Sequence, residues 1–337
     1  MRKLKFIFAA VLLFVCTLSI GVGRGLQADA AVEKYYVGGM TAGFLLGAGG
    51  AEVIELSEVV AEDGAHRPAQ DAGIRPGDCI CAVDGVRIST IKDLNDALAR
   101  SEGKEIKVII KRCGESAEIS IVPVKEKKSG KFKLGVLIRD TLSGIGTVTY
   151  IQKDTKKFGA LGHKIADEGG SLLQINDSNV YLCSIIGVNK GTRGKAGELR
   201  GLFLNDKPIA KAESIGDTGL FGSFENYDYK DCELVEAAPL SEATIGKAYI
   251  YSTVNGIHPQ KYEIAIAKVD EGNKENKNFV IKVTDEKLIE ATGGIVQGMS
   301  GSPIIQNGKL IGAVTHVFIN DPTRGYGIGI EKMLNSD

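Results

Sequence analysis

The sequence predicts a mainly β protein of two domains, a small α+β unit followed by a larger antiparallel barrel or sandwich. Three observations predict it. Gly accounts for 43 of 337 residues while Trp is absent and aromatics are 6 %, which favours tight turns and short strands over helix bundles. The length accommodates about two domains and an N-terminal appendage, at roughly 100–200 residues per domain. Short Val-, Ile-, Thr- and Tyr-rich runs separated by Gly and Asn/Asp turns fill residues 132 to 337, whereas the first third carries a helical pattern. Lys+Arg number 41 and Asp+Glu 42, for a net charge of −1. That balance argues against a nucleic-acid binder, which needs a basic surplus to neutralise phosphates, and the ordinary share of hydrophobic residues, 43 %, excludes a disordered chain.

Residues 1–30 read as a signal peptide or a membrane anchor. Arg2, Lys3 and Lys5 precede an apolar run from Phe6 to Val22, at the lower limit for crossing a bilayer and slightly long for a secretory core. Ala28-Asp29-Ala30 offers a small-residue cleavage pattern. Either reading places the remainder across the membrane, because the basic flank stays inside. Six cysteines, Cys16, Cys79, Cys81, Cys113, Cys183 and Cys232, lack the spacing of a disulfide framework, and Cys79 and Cys81 are expected as buried thiols on one strand face.

Residues 34–126 form the first domain. Gly77-Asp78 makes a tight turn before a strand at Cys79–Val83, and Asp84-Gly85 makes a hairpin turn. Ser89 or Thr90 caps a helix over Ile91–Arg100, with Leu94, Ala97 and Leu98 on one face. Two strands follow, at Glu105–Lys111 and Ala117–Pro123. The run A-G-I-R-P-G-D-C-I-C-A-V-D-G-V-R-I resembles the PDZ domains attached to bacterial exported proteases. The resemblance implies capture of peptide C-termini or extended segments by strand addition, with the carboxylate-binding loop at Thr41, Ala42, Gly43 and Phe44. Residues 127–131, within the charged stretch Lys125–Lys131, read as a solvated linker.

Residues 132–337 form the second domain, and its most informative segment is Gly298-Met299-Ser300-Gly301-Ser302-Pro303. Small neighbours let the backbone bend sharply and expose the Ser300 hydroxyl. They also let the N–H groups of Gly298 and Ser300 converge. A hydroxyl beside two inward N–H groups is what acyl transfer requires, a nucleophile and an oxyanion hole. An Asn307-Gly308 hairpin follows. The segment resembles the nucleophile loop of chymotrypsin-like peptidases, with Met299 in place of their acid, and this implies a double β-barrel. Ser302 lies on the wrong side of the turn to be the first choice of nucleophile. A serine needs a base, and His163, in Phe158-Gly159-Ala160-Leu161-Gly162-His163, precedes it in the chymotrypsin-like order. His258 is expected in an exposed turn, and His316, on the returning strand, is expected to line the substrate cleft.

Gly144-Ile145-Gly146-Thr147-Val148-Thr149, Lys156–His163 and Gly298–Pro303 together resemble the stage IV sporulation protein B peptidase family of endospore-forming bacteria. The resemblance extends over nearly the whole chain. It implies a serine endopeptidase exported from the forespore into the space between two membranes, or anchored there, whose PDZ domain controls substrate choice or self-inhibition. The implied substrate is a regulatory protein that restrains a membrane-embedded protease processing a pro-sigma factor, and self-cleavage belongs to the same picture. Asp285, 15 residues before Ser300, matches the family's triad acid, and Asp167 is the local alternative. No cofactor is expected, since H-E-x-x-H and zinc-site Cys/His spacings are missing from the sequence. The alternative reading is a catalytically silent PDZ scaffold that binds a membrane partner.

Overall fold

The computed structural model describes residues 33–112, 114–166, 176–204, 207–225, 227–229 and 231–336. The N-terminal apolar segment, Cys16, Cys113 and Asp167 lie outside them. Among the described residues no helix is long and apolar enough to cross a membrane. Cys79, Cys81, Cys183 and Cys232 are free. Only Cys183 is fully buried, so the expectation of buried thiols fails for Cys79 and Cys81, which are half-buried.

The chain is mainly β, as the sequence predicts. It opens with β1 (Lys34–Val37) and the long β2 (Thr41–Leu56). A small α+β unit follows, with β3 (Cys79–Val83), α1 (Ile91–Ser101), β4 (Ile106–Arg112) and β5 (Glu115–Ile121). Thr90 caps α1 in a reciprocal capping box with Asp93. Leu94, Ala97 and Leu98 of α1 pack on Ile80, Val83, Val108 and Ile110 of the strands. Asp78, 1 % exposed, accepts from Arg112 Nε at 2.6 Å and Nη2 at 2.7 Å and from the Arg75 amide at 2.8 Å. That arrangement satisfies a buried charge which unpaired would be costly.

The chain then returns through β6 (Val136–Gln152), β7 (Lys157–Ala160), β8 (Asn176–Asn189), β9 (Glu198–Phe203), β10 (Ala210–Gly216) and β11 (Gly219–Phe224). The pairings β2–β6, β6–β7, β7–β11, β11–β10, β10–β8 and β8–β2 close a six-stranded antiparallel barrel. Its interior holds Phe44, Val148, Phe158, Leu161, Val180 and Leu220. After β12 (Leu234–Ala237), a second ring forms from β13 (Gly246–Ser252), β14 (Gln260–Val269), β15 (Phe279–Val283), β16 (Pro303–Gln306), β17 (Lys309–Phe318) and β18 (Asp321–Gly329), with α2 (Glu286–Thr292) between β15 and β16. It closes through β13–β14, β14–β15, β15–β18, β18–β17, β17–β16 and β16–β13. Along the paired stretches, closure removes the exposed edges that an open sheet would present.

The structure corrects the domain boundaries. β1 and the first half of β2 belong to the first barrel: Tyr36 pairs with Ile151, and Ala42 pairs with Gly146 on one side and Leu182 on the other. Thr41, Ala42, Gly43 and Phe44 are therefore a buried strand with both edges used, and they leave no row of free amides for a carboxylate. Val53 at the far end of β2 and Leu134, just before β6, lie in the core of the α+β unit. That unit is thus inserted into a hairpin of the first barrel. The expected linker 127–131 is the tip of a tight hairpin in which Phe132 pairs with Lys125 and the Glu126 amide donates to the Lys131 carbonyl at 2.9 Å.

Candidate active site

A cleft of about 510 Å³ opens between the barrels, lined by His163, Gly298, Ser300, Thr315 and His316 and walled by Phe44, Ile145, Ile295 and Val317. His163 reaches it from the turn after β7, and Ser300 from the turn before β16. Two residues separated by more than a hundred positions therefore share one site because each lies in a turn next to a strand of a different barrel. Phe44, expected on a PDZ loop, instead contributes an apolar wall to this cleft.

The Ser300 turn is over-determined. Gly298 and Gly301 have φ of 96° and 95°, a left-handed region that costs glycine little. A Cβ on Gly301 would lie 2.0 Å from the Thr147 carbonyl oxygen, so no other residue fits there without displacing β6. Thr147 Oγ1 donates to the Gly298 carbonyl and Thr149 Oγ1 to the Gly301 carbonyl, both at 2.8 Å. The Thr147 amide donates to the Ser300 carbonyl at 2.9 Å. Met299 is fully buried in the second barrel's core; an apolar side chain stands where chymotrypsin-like loops place an acid. Among the described residues no acceptor pairs with the amides of Gly298 or Ser300. Two unengaged N–H groups, one two residues before the serine and one its own, are what an oxyanion hole requires. Ser302 is fully buried and outside the cleft lining.

Ser300 Oγ donates to the Thr315 carbonyl at 2.8 Å. The His163 ring pairs through Nδ1 with the Lys164 carbonyl at 2.9 Å. A carbonyl only accepts, so Nδ1 carries the hydrogen and Nε2 keeps the lone pair in neutral imidazole. His316 lies against His163, with ring centroids 5.2 Å apart. Partial burial pushes the His316 imidazole below its ordinary value, helped by repulsion from His163 and then Lys277. His258 is exposed, as its turn predicts.

Asp285 is elsewhere. It is the N-cap of α2 and accepts from the Lys287 amide at 3.0 Å and the Leu288 amide at 3.1 Å through one oxygen, and from the Glu263 amide at 3.3 Å through the other. It does not line the cleft. The family resemblance implies that Asp285 is the acid behind the imidazole; the short turn after β15 uses it to satisfy the first amides of a helix. The other candidate, Asp167, falls outside the described residues. Sequence reasoning gave no role to Thr147 or Thr149. Their signal was present as alternating threonines in a strand, Gly146-Thr147-Val148-Thr149, which places both hydroxyls on one face. Among the described residues no group of three His, Cys, Asp or Glu side chains is placed to hold a metal ion.

A family model described as SpoIVB peptidase S55 matches residues 130–334, and a PDZ domain model matches residues 59–112. Among curated proteins, the putative zinc metalloprotease LL2128 of Lactococcus lactis is 30 % identical over 145 residues, covering 37 % of this chain and 33 % of that protein. The zinc metalloprotease RasP of Shouchella clausii is 31 % identical over 127 residues, covering 35 % of this chain and 30 % of that protein. The chain thus spans about a third of the length of these curated relatives. Among solved structures, the PDZ domain of the SdrC-like protein from Listeria monocytogenes covers 27 % of this chain and 90 % of that one at 22 % identity and a TM-score of 0.23. Rv3671c from M. tuberculosis covers 57 % of this chain and 81 % of that one at 14 % identity and a TM-score of 0.31.

Proposed function

Because the chain belongs to the SpoIVB peptidase S55 family and is a serine peptidase with a PDZ domain, we propose that it is an exported or membrane-anchored endopeptidase of sporulation signalling. In this reading it cleaves a regulatory protein that restrains a membrane-embedded protease, and it also cleaves itself. The PDZ domain selects the substrate or restrains the enzyme, and the N-terminal apolar segment directs the chain to the membrane. The family assignment supports the biological setting.

One observation carries the chemistry: the amides of Gly298 and Ser300 have no acceptor among the described residues, and Ser300 shares its cleft with His163, whose Nδ1 is engaged by the Lys164 carbonyl and whose Nε2 keeps the lone pair. In the proposed reaction Ser300 Oγ leaves the Thr315 carbonyl and attacks the substrate carbonyl carbon while its proton passes to His163 Nε2. The new oxyanion takes hydrogen bonds from Gly298 and Ser300. The C–N bond then breaks as Nε2 returns the proton to the leaving amine. Water, deprotonated by the same nitrogen, hydrolyses the acyl-enzyme and restores the serine. The Lys164 carbonyl fixes the tautomer that this sequence needs.

Labelling by a fluorophosphonate and cleavage of an unfolded protein test the proposal. The wild-type chain is expected to label at Ser300, and Ser300→Ala to lose labelling and about 10⁶-fold in kcat. Undiminished cleavage by Ser300→Ala would remove the serine from the mechanism.

A further inference from the structure

β6, like β2, runs from the inserted α+β unit into the catalytic cleft. Its first residues, Val136–Arg139, pair with the far end of β2 inside the inserted unit. Leu142, Ser143, Gly144 and Ile145 line the cleft. One of its edges is occupied by β2. The other pairs with β7 only from Val148 onward, and among the described residues no strand pairs with that outer edge between Val136 and Gly146.

The polar groups on that edge can be assigned. The Val148 amide donates to Met40 beside β2, whereas the Thr147 amide donates to Ser300 and the Thr147 carbonyl accepts from the Leu161 amide. Thr147 therefore faces away from β2. Strand alternation, with a register unbroken from Thr141 to Thr147, turns Ile145 and Ser143 the same way. At the other end the Gly135 carbonyl accepts from Ser57 on the β2 side, so Val136 faces outward. Helix α1 forms the opposite wall beside this outer end. Its first amide, Ile91, donates to Asp140 Oδ2 at 2.7 Å, and just past its C-terminus a Cβ on Gly103 would lie 2.6 Å from the Phe132 ring. The helix thus runs antiparallel to residues 132–140. Gly135 has φ of 73° and makes the turn that opens β6.

We propose that one substrate chain occupies both sites, adding as an antiparallel strand along the outer edge of β6, with its segment C-terminal to the cleaved bond leading from Ser300 into the groove between β6 and α1. Polarity follows from the geometry. A strand antiparallel to β6 enters at Ile145, beside Ser300, and leaves toward Val136. Its N-to-C direction therefore points away from the serine. Its end arrives at the Gly135 turn, where backbone amides ahead of a strand can receive a terminal carboxylate. The path from Ile145 to Gly135 covers about ten residues, roughly 33 Å of extended chain. The preferred bond is thus set by its distance from the substrate's C-terminus. The proposal rests on the serine peptidase reading and deepens it, since it names what the inserted domain holds and from which side.

The test uses the full chain and an unfolded protein, reduced and carboxymethylated α-lactalbumin, whose first cleaved bond is mapped by mass spectrometry. Synthetic peptides spanning that bond then carry about four, ten or sixteen residues on the C-terminal side, each as free acid and as amide. The ten-residue free acid is expected to exceed the four-residue peptide and its own amide about tenfold in kcat/KM, through effective concentration. Val136→Pro, which deletes an outward amide, and Leu137→Arg, which places charge on the groove strand, are each expected to erase that advantage. Equal kcat/KM across lengths and termini would overturn the proposal while fluorophosphonate labelling of Ser300 persists. Absent labelling in the wild-type chain would instead overturn the peptidase reading on which it rests.

Discussion

The two sides of the cleft are held very differently. The Ser300 turn is fixed by hydrogen bonds from Thr147 and Thr149 of the other barrel and from its own hairpin, where the Gly301 amide donates to Val314 at 2.7 Å and the Val314 amide to Ser302 at 2.9 Å. The His163 ring is held by the carbonyl of the next residue and by contact with His316. The difference teaches where rigidity matters. An oxyanion hole works by having its donors aimed before charge develops, so any reorganisation during reaction reduces its value. A general base must move a proton between two partners, and catalytic hydrogen bonds at such a group commonly tighten only when substrate is present. The serine side is built in advance, and the histidine side is left for the substrate to complete.

The strongest way to break this contrast is to loosen the rigid side. Thr147→Val keeps the shape of the side chain and deletes the bond to the Gly298 carbonyl. It is expected to lower kcat about 10- to 100-fold, part of what losing an oxyanion donor costs, while stability falls by only about 1 kcal/mol. Thr147→Ser should restore most of the rate. Steady-state kinetics with thermal unfolding on the same samples checks this. An unchanged kcat in Thr147→Val would mean that the turn keeps its geometry without its buttress, and the contrast would lose its basis.

Asp285 sharpens the other half. As a helix cap it can be replaced by Asn, whose Oδ1 accepts the same two helix amides and which loses only the longer bond from the Glu263 amide. Asp285→Asn is therefore expected to stay near wild type in both stability and kcat. Asp285→Ala is expected to lose about 1 kcal/mol of stability with kcat retained. A triad acid behaves in the opposite way, because the amide imposes the wrong imidazole tautomer and lowers kcat by about 10⁴. Such a loss in Asp285→Asn would show that the histidine side is more tightly organised than its contacts with Lys164 and His316 indicate.

These same residues show what the sequence discloses. Gly298-Met299-Ser300-Gly301 and Gly162-His163 were legible because tight turns demand small residues locally, and the turn and helix signals at Gly77-Asp78 and Thr90 are equally local. The nesting of the inserted domain was not. Gly47, Gly49 and Gly50 in mid-β2 imitate a loop; Gly47 is held by pairing with Thr141 and Asn176, and Gly49 and Gly50 fall at the register shift between Thr141 and Arg139. Thr41–Phe44 was misplaced for the same reason. Asp285 matches the triad acid of the resembled family and also stands as an N-cap ahead of Glu-Lys-Leu-Ile; the structure shows it as the N-cap.

The smallest expected effect concerns His316, the neighbour that confines the His163 ring. Its imidazole is held below the ordinary value of 6.5, first by burial and then by the positive charges of His163 and Lys277. Above that value the ring is neutral whether the chain is folded or not, so it contributes no pH dependence. Below it the unfolded chain takes up the proton first, and stability is lost as the pH falls through the folded value. His316→Gln cannot bind this proton. Between about pH 7 and pH 5, across the ordinary titration range of histidine, its Tm should fall by less than that of the wild type. Because the ring is partly exposed, the gap between the two should be small. Parallel melts of both proteins at the two pH values measure it. A wild-type Tm that falls no further than the variant's would mean that His316 titrates alike in both states. Burial and the neighbouring His163 would then not disfavour the charged His316 ring.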